Sequence, residues 1–326
     1  WTQRWVLAAS AQRTVSRVVI DGETAVVKRY HLPQFVSAPG EMLDQILLED
    51  TIENEERVNR VFSQMRKDGL YVPRGLITGL RSRKGFFVFP FFDGVTLEQE
   101  ANVLREEADG EKRRQRYLMI ARQMAASLSV IAGKGFAHRD PSLENFLINS
   151  EGEVVLIDLG LAGRIGDVED RLAGLATAYA SPQQSMGEPP AFTDDVFGCA
   201  VALAWLWAGG FRPDDPVHKT VTDAGVNGED LRPLIEPLLR DCPLKDVIVR
   251  ALDPDPAGRY PDIDVMAVAI RGAGDVLSDR VGSALSANPT GGVDLRADAT
   301  EVVEVSGGAV ARLQGIEFTV SPAGKF

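Results

Sequence analysis

The chain has 326 residues, 44% of them hydrophobic and 25% charged, with a formal net charge of -12. Those values fit a soluble globular chain long enough for one large two-lobed domain with a tail, or for two modest domains, and they exclude a disordered or low-complexity protein. The acidic balance argues against nucleic acid or an anionic membrane as a general partner, because the basic cluster Lys112-Arg113-Arg114 with Arg116 reads as a solvated helix face.

The two cysteines, Cys199 and Cys242, provide no disulfide framework and indicate a reducing, cytoplasmic setting. The start, Trp1-Thr2-Gln3-Arg4, has neither a Met nor a signal-type apolar stretch, so a fragment or processed form is expected. In chain order, apolar and β-branched residues predict strands over 5–9, 15–20 and 24–30, the last two joined by a turn at Asp21-Gly22. Between the first two strands, Ala8-Ala9-Ser10-Ala11-Gln12-Arg13 contains no glycine. A helix follows over 39–67, with acids at Glu53, Glu55 and Glu56 leading into Val58, Val61, Phe62 and Met65 at helical spacing. Apolar strands at 75–79 and 86–92 run into Phe89-Pro90-Phe91-Phe92-Asp93-Gly94. An amphipathic helix over 111–134 carries Leu118, Ala121, Met124, Ala125, Leu128 and Ile131 on one side and leads directly into His138-Arg139-Asp140-Pro141-Ser142-Leu143-Glu144-Asn145. A strand over 154–157 then ends in Asp158-Leu159-Gly160. Further on, the apolar run 199–208 is too short to cross a bilayer and predicts a buried helix, with more helices at 231–239, 244–252 and 263–270.

An acid and an amide five apart in one tight loop, followed by a second acid on a strand end, are the parts needed to deprotonate a hydroxyl and hold Mg²⁺ against phosphate oxygens. Asp140 is the candidate base, and Asn145 and Asp158 offer hard oxygen ligands. His138 and Arg139 serve the loop's geometry. Each of these residues taken alone reads as a turn or capping group. As an ordered set they resemble the catalytic and metal-binding loops of the protein kinase family.

The resemblance covers residues 1–275. It implies an α+β, two-lobed protein-kinase-like fold, with a small β-rich N-lobe at 1–92 and a larger helical C-lobe at 93–275. The tail, 276–326, has strand-like runs at 300–305, 310–313 and 316–320 and is expected to be a docking segment or the start of a truncated domain. The resemblance further implies that Lys28 grips the α- and β-phosphates of ATP and that Glu55, with Glu56 as the alternative, pairs with it. Phe89 gates the depth of the adenine pocket and Phe92 supplies backbone hydrogen bonds, since Pro90 has no N–H. Small side chains at Ser10 and Ala11 stand in for the family's Gly-rich turn, and Arg13 is placed to add a cation. The activation segment spans 160–183 and carries Thr177 and Tyr179. It closes with Ser181-Pro182-Gln183, where Gln183 replaces a glutamate and is expected to bond Arg259. Asp195 resembles the helix-start acid that accepts from the catalytic loop's backbone, an N-cap being the plainer alternative.

Ser142 stands where protein kinases carry a lysine near the transferred phosphate, which removes one source of charge stabilisation. The leading expectation is a bacterial-type serine/threonine protein kinase using ATP and Mg²⁺ on a protein substrate, itself first, at Thr177 or in the tail, where Thr290 and Thr300 are candidate phosphosites. The alternative is a pseudokinase that binds nucleotide or a partner without catalysis. A third reading is a small-molecule kinase of the same fold, of the sugar-kinase type.

Overall fold

The computed structural model describes residues 4–10, 13–20, 22–31, 39–62, 75–77, 86–168, 178–210, 212, 215–273, 302–305, 308–313 and 316–320. Residues 1–277 and 278–326 form two separate units.

The first unit has the two-lobed α+β form anticipated above. Its N-terminal lobe is a five-stranded antiparallel sheet in the order β1-β2-β3-β5-β4, from β1 (Arg4–Ala9), β2 (Arg13–Ile20), β3 (Glu23–Tyr30), β4 (Gly75–Ile77) and β5 (Phe86–Pro90). Ile20 pairs with Glu23 across a two-residue turn in which Gly22 has φ 84°. That left-handed backbone is what an Asp-Gly hairpin requires. Alternation along β3 sends Ala25 and Val27 to one side of the sheet, with Val18, and Lys28 and Tyr30 to the other.

Between β3 and β4 lies α1 (Pro39–Phe62), which serves both lobes. Leu48 and Ile52 pack with Tyr30, Phe87 and Phe89 under the sheet, while Val58 and Phe62 join the large core of the C-terminal lobe. Phe62 meets Phe136 edge-on at 5.8 Å. A helix anchored at two levels holds its middle, where Glu55 lies, at a fixed height in the cleft. Its described end is Phe62, and residues 63–67 of the predicted helix lie outside the described residues.

The C-terminal lobe begins with β6 (Val95–Thr96) and α2 (Leu97–Glu106), continues through α3 (Gly110–Ala132) and β7 (Phe136–Ala137), and adds β8 (Phe146–Ile148), β9 (Val154–Leu156) and β10 (Gly163–Arg164). Strands β6, β8 and β9 form a small sheet and β7 pairs with β10. After α4 (Pro182–Ser185), the apolar run becomes α5 (Phe192–Ala208), buried on all sides at Val196–Trp207. A helix apolar all round belongs at the centre of a lobe. Tyr117 of α3 packs against Trp207 and donates its hydroxyl to the carbonyl of Leu203 at 3.0 Å, which satisfies a phenol that is fully buried.

The lobe is completed by α6 (Pro216–Val226), α7 (Arg232–Ile235), α8 (Lys245–Ala251) and a last helix at 263–273. The predicted helix at 231–239 divides, because Pro237 has no N–H and the chain tightens into a 3₁₀ turn from Glu236 to Leu239. Neither α2 nor α6 was anticipated. The first starts at a Thr96/Gln99 capping box and the second at Asp215 followed by Pro216.

Gly198 lets α5 approach the loop after β7. A Cβ there would stand 2.7 Å from Pro141 Cγ and 3.0 Å from the carbonyl oxygen of Tyr179. Gly198→Ala is therefore expected to destabilise the protein by about 1–3 kcal/mol, measurable by urea unfolding, despite alanine's better helix propensity.

The second unit contains a three-stranded antiparallel sheet of β11 (Val302–Val305), β12 (Gly308–Leu313) and β13 (Ile316–Val320), paired in sequence order. Its strands coincide closely with the runs predicted for the tail.

Candidate active site

Four segments converge on the cleft between the lobes of the first unit: β3, the middle of α1, the loop after β7 and the residues after β9. Lys28 Nζ lies 3.0 and 3.1 Å from the two carboxylate oxygens of Glu55 and 2.8 Å from Asp158 Oδ1. Of the two acids considered for the lysine, Glu55 takes the place, whereas Glu56 faces Arg60 one helical turn on. Tyr30, two residues beyond Lys28 on the same face of β3, donates its hydroxyl to Glu55 at 2.5 Å. Burial alone would strip the Lys28 charge, but Asp158 and Glu55 outweigh it and hold the ammonium's pKa above its ordinary value.

The loop after β7 is built on backbone contacts. Asp195 accepts from the N–H groups of His138 and Arg139 at 2.7 and 2.8 Å, and Gln184 donates its amide to the Arg139 carbonyl at 2.8 Å. Between those anchors Arg139 adopts φ 67°, a left-handed conformation that a non-glycine residue seldom takes unless its surroundings impose it. Capping of α5 falls to Asp194, which accepts from Ala191 N–H and from the Ser181 hydroxyl, so Asp195 is committed to the loop. Burial pushes the Asp195 carboxyl up to about 7, the two N–H groups pulling the other way. His138 is buried beside the Asp158 segment, and burial lowers its imidazole to about 4, so it is neutral near pH 7.

Asn145 donates its side-chain amide to both the carbonyl and Oδ2 of Asp140, at 2.9 and 2.8 Å, which fixes the acid's direction. Burial, reinforced by the charge of Asp158, raises the Asp140 carboxyl to about 7. A carboxylate poised there is suited to taking a proton from a hydroxyl. Asp158 has φ 65° and behaves in the opposite sense. Its burial favours protonation, yet Lys28 and Arg13 overcome this and hold it well below the usual carboxylate range.

Phe89 is buried and pairs with Val26 across the sheet, and Phe92 is partly exposed in the irregular segment that joins the lobes. Ser10 is exposed in the β1–β2 turn. Gln183 accepts from Arg259 at 2.7 Å and donates to the Pro254 carbonyl at 3.0 Å, and burial lowers the Arg259 guanidinium to about 10. Tyr179 is buried, whereas Thr177 lies outside the described residues. Two further contacts across the cleft were not anticipated. Asn54 donates its amide to the carbonyls of Gly160 and Ala162, at 2.8 and 2.9 Å, and so ties α1 to the segment after Asp158. Arg13 reaches across to Asp158 at 2.9 Å.

The donors present suit a small hard cation. Asn145 and Asp158 contribute oxygen only, and magnesium ordinarily takes one or two protein ligands, filling its shell with water and phosphate oxygens. Among the described residues no cluster of three or more His, Cys, Asp or Glu forms a closed metal cage, so this site does not resemble a structural metal centre. Also among the described residues, no helix is long and apolar enough to cross a membrane.

Comparison with known proteins agrees with the geometry. The chain is 26% identical over 187 residues to the "Probable serine/threonine-protein kinase PknB" of Lactococcus lactis, covering 56% of this chain and 28% of that protein. It is 26% identical over 166 residues to the serine/threonine-protein kinase PknD of Mycobacterium tuberculosis, covering 48% and 24%. With CBL-interacting protein kinase 25 of Oryza sativa it shares 29% over 153 residues, covering 44% and 28%. The chain thus spans about a quarter of the length of these relatives. Residues 21–185, half of the sequence and the part that holds Lys28, Glu55, Asp140, Asn145 and Asp158, match the ABC1 atypical kinase-like domain. The chain therefore belongs to the ABC1 atypical kinase-like family.

Proposed function

We propose that this domain transfers the γ-phosphoryl group of ATP to a serine or threonine hydroxyl of a protein. The observation that carries the reading is that Lys28 Nζ lies within 3.1 Å of carboxylate oxygens of both Glu55 and Asp158, beside an Asp140 oriented by Asn145. The names of the relatives support a protein acceptor.

In this reading Lys28, held by Glu55, turns its ammonium to the α- and β-phosphates. Phe89 closes the back of the adenine pocket and the backbone at Phe92 meets the base's edge, with Ser10 in the turn above. Asn145 and Asp158 would hold Mg²⁺, which when bound neutralises charge on the β- and γ-phosphates. Asp140 Oδ accepts the proton of the acceptor hydroxyl as its oxygen bonds to the γ-phosphorus and the bond to the ADP oxygen breaks. His138, Arg139 and Asp195 keep the loop in register, while Gln183 and Arg259 anchor the end of the activation segment, the stretch of sequence that carries Thr177 and Tyr179. Because Asp140 must be ionised to act, transfer measured at saturating nucleotide is expected to rise with pH and level off once that group has lost its proton, the midpoint lying below about 7 when a cation is bound nearby.

A second reading, towards which the glycine-free stretch Ala8–Arg13 tilts, gives the acceptor hydroxyl to a small molecule. Incubation with γ-labelled ATP and Mg²⁺ separates the readings. Label on the protein or on an added protein acceptor, absent from Asp140→Ala and Asp158→Ala, is expected. Label on small solutes alone would transfer the assignment to the second reading, and equal label in all three proteins would end both.

A further inference from the structure

The β1–β2 turn has a cation where a phosphate-binding loop would offer glycine N–H groups. Arg13 is the first residue of β2, and its main chain is pinned to the turn: Ser10 N–H donates to the Arg13 carbonyl at 2.8 Å, and Arg13 N–H donates to the Ser10 hydroxyl at 3.1 Å. Its guanidinium crosses the cleft to Asp158 Oδ2 at 2.9 Å, while Lys28 takes Oδ1 at 2.8 Å. Both oxygens of the proposed metal-binding carboxylate are thus engaged by protein cations. The two bonds differ in depth. Lys28 is 6% exposed, but the Arg13 side chain is 48% exposed, so its ion pair is weak, open to water and able to part without disturbing the core. A divalent ion on Oδ2 would repel a guanidinium beside it, and a bound phosphate would offer that guanidinium a planar, charge-assisted alternative partner.

We propose that Arg13 is a cation with two stations: on Asp158 while the cleft is empty, and on the polyphosphate of the bound nucleotide once a divalent ion takes Asp158. Resting on the reading of the site as a nucleotide site, this assigns Arg13 the role of a phosphate-positioning residue. It compensates for a turn without glycine and for Ser142 in place of a cation. The arrangement also makes metal and arginine competitors in the empty site and neighbours in the loaded one.

The two stations predict effects of opposite sign on one substitution. In Arg13→Gln, Mn²⁺ alone, followed by electron paramagnetic resonance, is expected to bind several-fold more tightly than in wild type. Mg²⁺ with the non-hydrolysable analogue adenylyl imidodiphosphate, followed by calorimetry, is expected to bind about tenfold more weakly, the loss of one charge-assisted contact. Arg13→Lys should restore most of the nucleotide affinity. Nucleotide affinity that is unchanged or tighter in Arg13→Gln overturns the proposal, as does Mn²⁺ affinity that does not rise. If wild type itself fails to bind the analogue with Mg²⁺, the nucleotide-site reading has failed and the proposal falls with it. Wild-type binding with an indifferent Arg13→Gln sinks the proposal alone.

Discussion

Asp140→Asn is expected to lower phosphoryl transfer by roughly 10²–10⁴-fold, the usual contribution of a positioned acid–base group, while Mg²⁺-nucleotide affinity stays within about threefold of wild type. The separation of the two effects follows from the geometry. Asp140 is oriented by the Asn145 amide and is raised towards neutrality, the property of a proton acceptor, whereas the residues that would grip phosphate and metal are Lys28 and Asp158. Asparagine is close to isosteric, so the loop's shape should survive, with a rotated amide still able to accept from Asn145. A parallel loss of nucleotide binding would show that Asp140 acts through the ligand's position and not through the proton.

Asp195→Ala should have the largest effect on stability. The carboxylate is 2% exposed and accepts from two main-chain N–H groups. Removing it leaves both donors buried without that acceptor and releases the clamp that holds Arg139 at φ 67°. Charge-assisted bonds of this kind contribute about 1.5–3 kcal/mol each, so a loss of about 3–5 kcal/mol by urea unfolding at pH 8 is expected, with transfer activity falling as the loop relaxes. Asp195→Asn keeps one acceptor oxygen and should lose roughly half as much. A loss below about 1 kcal/mol for Asp195→Ala would mean that the two N–H groups find water and that the loop's geometry is set elsewhere.

The parts of this molecule legible in the sequence are those whose signal is local. The loop from His138 to Asn145 and the strand leading to Asp158 are contiguous, and the apolar run of α5 declares a buried helix by composition. The choice of Glu55 over Glu56 was also available, because the residues that carry α1 into the core, Val58 and Phe62, lie three and seven positions after it. What no local signal reveals is the pairing of single side chains with remote partners, including that of Arg13, whose cation the sequence does suggest. Arg13 and Asp158 are 145 positions apart, and Asn54 reaches a carbonyl 106 positions away. No periodicity or spacing marks such pairs, since they exist only once β3 and α1 have brought the lobes together. Tyr30 is intermediate. Its place two residues beyond Lys28 puts it on the same face of a strand, a signal that could have been used.

To perform this chemistry, the converged side chains must enclose a metal and a triphosphate. A crystal structure of the chain soaked with Mg²⁺ and adenylyl imidodiphosphate tests this most directly. Oxygens of Asn145 and Asp158 are expected at about 2.0–2.1 Å from a magnesium ion, with Lys28 Nζ on the α- and β-phosphates and Asp140 facing the γ-phosphate. A nucleotide bound without Asp158 or Asn145 at the metal, or a cleft that takes up no nucleotide at all, would contradict it.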